Sequence, residues 1–132
     1  METAVFNFKD YRFPQAELDF STLDASPLKL DIRPSGVFHR SDKRYTLTFD
    51  FSAKTESEGR TVVHVVCVAE FVLSEETIPY YFYANSIAIV FPYVRAFVST
   101  LSLQANIGAP IVIPTLNLVG LRGRLEKDTR ID

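Results

Sequence analysis

The chain has no tryptophan, one methionine and one cysteine in 132 residues. A lone Cys67 excludes an internal disulfide, which fits a reducing compartment. His39 and His64 are the only histidines, and neither stands in a metal-ligand spacing, so no metal or cofactor is expected. Neither sign of charge dominates: Lys and Arg number 14, Asp and Glu 16. A net charge of −2 sets up no field that would draw nucleic acid. Met1 to Asn7 shows no basic stretch leading into an apolar one, so no secretory signal is expected and a cytoplasmic location is. Low-complexity tracts and repeats are lacking as well. What remains is 47% hydrophobic and 23% charged, the composition of a globular protein, at a length that suits one domain.

The pieces of catalytic words do not join up. Gly120-x-x-Gly123 has no following Lys-Ser/Thr and is not a phosphate loop. Ser41-Asp42 beside His39 reads as a polar turn rather than part of a hydrolase set. Glu75-Glu76 reads as a solvated turn. No enzyme is expected.

The sharpest scarcity is local. From Ile78 to Leu121 the only charged residue is Arg95. Within this region Ser86 to Ala105 reads as a helix with Asn85 or Ser86 as its cap. Ile87, Val90, Phe91, Val94, Val98 and Leu101 fall on one face; Ile89, Tyr93, Ala96, Phe97 and Leu103 fall on another. A helix on the surface of a small domain shows a polar stripe, and this one does not. A membrane span needs about 20 predominantly apolar residues. The best window, Tyr81 to Leu103, is broken by Asn85, Pro92, Arg95 and several hydroxyls. The better reading is a helix packed on its own sheet and on other subunits, without membrane insertion. Pro92 either kinks it or starts a second helical piece.

The first half reads as strands. Thr3 to Tyr11 is apolar and aromatic. Phe13 to Pro27, with Pro at both ends, reads as a connecting loop. Leu28 to Arg33 alternates apolar with charged residues, and Pro34-Ser35-Gly36 suggests a bulge before Val37 to His39. Tyr45, Leu47, Phe49 and Phe51 point one way while Thr46, Thr48 and Asp50 point the other. Thr61 to Leu73 puts Val63, Val65, Cys67, Ala69, Phe71 and Leu73 on one face. Short polar turns at Ser41-Asp42-Lys43 and Glu56 to Gly59 join these runs, which predicts an antiparallel meander. Asn106-Ile107-Gly108 ends the helix. An apolar, proline-broken loop follows, then a charged tail that only Leu121 and Leu125 could anchor.

Two words in this layout point to a family. Asn85 to Arg95 contains Phe91-Pro92-Tyr93-Val94-Arg95, and Pro114-Thr115-Leu116-Asn117-Leu118 follows downstream. In order, after four strands, they resemble the protein-export chaperone family SecB over about Phe6 to Val119.

That resemblance implies an α+β domain: a four-stranded antiparallel sheet over 1–74 with a crossover at about 13–27, a long helix region at 80–107, and an apolar loop and tail at 108–132. It implies a homotetramer, a dimer of dimers, with interface residues Phe91, Tyr93, Val94, Arg95, Phe97, Val98 and Leu101. It implies ATP-independent binding of unfolded polypeptide, as a holdase, and delivery of secretory precursors to the translocase motor SecA. The alternative is a SecB-like chaperone dedicated to one partner, such as an antitoxin. Client-binding candidates are Tyr11, Phe13 and Phe20 in or near the crossover, the run Tyr80, Tyr81, Phe82 and Tyr83, and Ile111, Val112 and Ile113 in the late loop. Four adjacent rings cannot all face one core, so some of the run should be exposed. The chain departs from the family after the loop, where Val119 to Arg124 carries two glycines and basic residues. The second helix is expected to be missing or very short. The residues expected on the sheet's outer face (Lys29, Asp31, Arg33, Thr46, Thr48, Asp50, His64 and Glu70) are also mixed in sign.

Overall fold

A computed structural model describes residues 5–21, 23, 27–108, 111, 113 and 118–132. Four long strands, β1 (Phe6–Leu18), β2 (Leu28–His39), β3 (Arg44–Thr55) and β4 (Thr61–Leu73), are followed by α1 (Phe82–Gln104), α2 (Val119–Lys127) and β5 (Thr129–Ile131). The sheet order is β1-β4-β3-β2-β5. The four long strands pair antiparallel and β5 joins β2 in parallel. This is the expected α+β domain with its crossover, since β1 lies beside β4 rather than beside β2.

Period-two alternation builds the sheet. Tyr45, Leu47, Phe49, Phe51 and Ala53 of β3 are fully buried, as are Val63, Val65, Cys67, Ala69 and Phe71 of β4. Most of their neighbours in sequence, such as Thr46, Thr48, Asp50, Val66 and Val68, stand half-buried on the other face. One face is thus apolar and must be covered. Nine residues of α1, including Phe82, Ile87, Val90, Phe91, Val94 and Val98, are buried as that cover. Phe82 is its aromatic centre, with ring centroids 4.7 Å from Tyr45, 5.0 Å from Phe6 and 5.3 Å from Phe71. α1 is long and apolar enough to cross a membrane, but the sheet takes this buried face.

The end of β1, the place of the bulges and the start of α1 differ from the sequence reading. β1 runs on to Leu18, so Phe13 belongs to a strand and the crossover begins only at Asp19, not at 13. An edge strand tolerates Pro14 because one side of its backbone needs no ladder partner. β2 pairs with β3 from Leu28 to His39 without a register shift, so the expected bulge at Pro34-Ser35-Gly36 is absent. The register shifts lie instead in β1, between Phe8 and Asp10 and between Arg12 and Gln15, and between Ala53 and Lys54 of β3. α1 starts at Phe82, before Asn85 and Ser86, and Pro92 lies inside it.

The tail holds more structure than its charges suggest. The second helix is short, nine residues, as expected. Leu125 is fully buried, and Arg124 and Lys127 occupy the last turn, where cations favour the helix end. β5 was not anticipated. Gly36 makes room for it: a Cβ there would collide with the Tyr45 phenol, whose oxygen lies 2.6 Å from Thr129 Oγ1.

Burial pushes the Cys67 thiol from its ordinary value near 9 up to about 11, and raises the Tyr45 phenol as well. An acid held neutral by the fold stabilises it below the unfolded-state pKa, and that contribution is lost as pH rises toward the folded value. Stability should therefore hold steady up to about pH 9 and fall between about 9 and 11. Urea midpoints at about pH 8 and pH 10.5 check this, and equal midpoints would contradict it.

Candidate functional site

The site is built from two periodicities that meet. Phe6 and Phe8 of β1 point toward the helix, opposite Leu73 and Phe71 of β4. The bulge after Phe8 inserts one residue and reverses the parity, so Tyr11, opposite Ala69, points the same way. Phe13 follows at period two. On α1, Tyr93 and Phe97 are one helical turn apart and share a face. Tyr11 stacks on Tyr93 with centroids 4.2 Å apart, and Phe13 stacks on Phe97 at 3.9 Å. Tyr11 and Phe13 meet edge to face at 6.0 Å, and Phe8 backs Tyr93 at 5.7 Å.

Between these two ring pairs runs an open groove of about 260 Å³, lined by Tyr11, Phe13, Tyr93, Ala96, Phe97 and Thr100. None of these side chains carries a charge. Tyr11 is 42% and Tyr93 37% exposed. Exposed aromatic rings that hold one another in place offer apolar area and polar tips at little entropic loss. The groove can therefore take an extended apolar segment.

The remaining expected client residues separate sharply. Tyr80 is 80% exposed and Tyr81 is 36% exposed, at the mouth of α1. Phe82 and Tyr83 are buried in the core and cannot meet a client. The helix begins at Phe82, four residues before the expected Ser86, and both rings turn inward. Phe20 is partly buried against the core. Ile113 is buried, Ile111 is partly buried, and Val112 lies outside the described residues. Three of the expected interface residues, Phe91, Val94 and Val98, are likewise taken by the chain's own core. Tyr93, Arg95, Phe97 and Leu101 keep some surface. Tyr93 and Phe97 were expected at the subunit interface; within the chain they stack on β1 and wall this groove.

Arg95 is held within the chain. Its Nε donates to the Ile113 carbonyl at 3.1 Å, and its guanidinium lies 5.9 Å from the Phe91 ring centre. That bond ties the loop after α1 back to the helix.

The opposite face of the sheet carries a second hollow, about 310 Å³, with polar walls including Glu17, Asp31, Arg33, Asp50, Lys54 and His64. His64 Nε2 lies 3.0 Å from Asp50, and Arg33 donates to Asp31 at 2.9 Å. Its charges are mixed and largely paired with one another. Among the described residues no group of three His, Cys, Asp or Glu could hold a metal ion.

No family model matches the sequence. An uncharacterized protein of Methanocaldococcus jannaschii is 46% identical over 43 residues, 33% of this chain and 27% of that protein's length. Among solved structures, the SecB-like chaperone Rv1957 of Mycobacterium tuberculosis, in complex with a ChAD peptide from the HigA1 antitoxin, superposes with a TM-score of 0.69. The match covers 85% of this chain and 88% of that one at 13% identity. With its crossed four-stranded antiparallel sheet covered by one long helix, this chain has the fold of the SecB-like chaperones.

Proposed function

We propose that this protein is a SecB-like chaperone that works as an ATP-independent holdase, capturing an extended apolar segment of a dedicated partner such as an antitoxin. The observation that carries the reading is the charge-free groove walled by Tyr11, Phe13, Tyr93 and Phe97. Its open form suits a chain in extended conformation rather than an enclosed small molecule. The structural neighbour's bound antitoxin peptide supports a partner of the same chemistry here. Delivery of secretory precursors to SecA draws less support, because the outer sheet face is mixed in sign. Arg12 stands 3.7 Å from Glu70 there, and His64 beside Asp50.

Assembly into a dimer of dimers in the cytoplasm belongs to the same reading. The outward side of α1 presents Ala88, Pro92, Ala96, Thr100 and Leu103, with no charge among them. Small side chains let a second helix approach closely.

The test is refolding of a slow-folding, chemically unfolded protein with increasing amounts of this chain and no nucleotide. An unrelated acidic protein serves as control. Arrest at about stoichiometric, micromolar amounts is expected. Unaltered refolding of several unfolded proteins, together with failure to bind any extended aromatic-rich antitoxin peptide, would overturn the reading.

A further inference from the structure

Arg95 is the only charge between Ile78 and Leu121, and it is half-buried on α1. Its surroundings use little of it. Nε donates to the Ile113 carbonyl at 3.1 Å, and the guanidinium lies 5.9 Å from the Phe91 ring centre. Nη1 and Nη2, which carry most of the group's donors, meet no acceptor among the described residues. No described carboxylate lies within ion-pair distance of it, whereas Arg12, Arg33, Arg44, Arg60 and Arg130 each have one. A guanidinium fixed through Nε, with its fork open in apolar surroundings, is placed to receive a planar carboxylate.

The fork opens on a hollow of its own, about 290 Å³, where Arg95 is the single charge among Pro92, Ala96, Ser99 and Ile113. Ser99 follows Arg95 by one helical turn and adds a hydroxyl on the same side. Ala96 lines this hollow and the aromatic groove alike. The two therefore flank the same turn of α1, separated by a methyl side chain. A chain that leaves the groove over Ala96 enters the Arg95 hollow. A helix with its side chains is about 10 Å across, and extended chain advances about 3.3 Å per residue, so about three residues span the distance.

We infer that the Arg95 hollow takes the side-chain carboxylate of an Asp or Glu in the captured segment, about three residues from the aromatic residue seated in the groove. Charge complementarity selects this occupant. The hollow offers one cation and no anion, and a second copy's residues 78–121 hold no acid to answer it. Pro92 and Ile113 give its walls an apolar surface that suits the stem of such a side chain. The inference rests on the holdase reading and adds the feature by which the groove would select a partner. Ala96 also belongs to the side of α1 proposed above for contact between copies, so a seated segment and a second helix exclude each other at this turn.

The test uses short labelled peptides, acetylated and amidated so that no terminal carboxylate competes. Each carries a pair of aromatic residues and either Glu or Gln, placed next to the pair, about three residues beyond it, or about twice as far. With the parent protein, Glu at about three residues should bind about ten-fold tighter than Gln, the scale of charge-assisted hydrogen bonds. At the other two places Glu and Gln should bind alike. Arg95→Gln should hold the Gln peptides as the parent does and bring the Glu preference to within about two-fold. If that variant does not fold, the position dependence measured on the parent alone decides. Equal binding of Glu and Gln at every position, a Glu preference indifferent to position, or one kept by a folded Arg95→Gln protein would each overturn the inference and leave the groove reading intact. Binding of none of the peptides would overturn the groove reading itself, and this inference with it.

Discussion

Replacing Val98 with Asp should unfold the chain, with a loss of roughly 3–5 kcal/mol, the usual penalty for an unpaired charge left in a core. Val98 is fully buried on the sheet-facing side of α1, below Ile87, Val90 and Val94. Single domains are stable by about 5–15 kcal/mol, so this one change removes much of the margin. Ala96→Asp is the contrast. It lies two residues away, about 200° round the helix, on the exposed side. It should leave the domain folded, lower the assembled mass and, because Ala96 also lines the groove, weaken capture. Circular dichroism melts and sedimentation of both variants separate the outcomes. A folded Val98→Asp protein would mean that α1 does not pack on the sheet through this face.

Disabling the groove should have the largest effect on activity. With Tyr11→Ser and Phe97→Ser together, one ring is lost from each stacked pair. Capture of an extended aromatic-rich peptide should weaken by ten-fold or more, about 1.4 kcal/mol at the least, because buried aromatic anchors dominate such contacts. Tyr80→Ser removes a ring that is more exposed but outside the groove, and should change capture by less than about two-fold. Fluorescence titration of a labelled peptide gives both numbers, and a melting curve separates lost binding from lost folding. Equal losses in the two proteins would place the binding surface at the mouth of α1 instead.

Much of the fold is legible in the sequence because strand alternation and helical spacing are local signals. The inward faces of β3 and β4 follow directly from period two. Most of α1 follows from its apolar content, but its first turn does not, since Phe82 and Tyr83 carry no cap signal and Phe82 is drawn inward by Tyr45 and Phe71. Assigning α1's two apolar faces requires knowing which one the sheet takes. That is tertiary information, and it is why Phe91, Val94 and Val98 were expected at an interface but lie in the core. The groove was half legible. Tyr11 and Phe13 were named as client residues, but the bulge that aims Tyr11 at the helix leaves no mark in composition. β5 was invisible for a similar reason. Three residues of mixed character become a strand only because β2 offers a ladder and Gly36 makes room for the Tyr45 phenol that bonds Thr129.

The crossover has a consequence for the order of events during synthesis. Phe6 pairs with Leu73, so the first strand to leave the ribosome must wait for the fourth. The β2–β3 and β3–β4 hairpins can close as they emerge, while β1 stays single and carries Phe6, Phe8, Tyr11 and Phe13 uncovered. At about 5–20 residues per second that interval lasts several seconds. The stacks with Tyr93 and Phe97 come later still. A chain proposed to shelter the sticky segments of others thus begins life with such a segment of its own, and its walls are completed last.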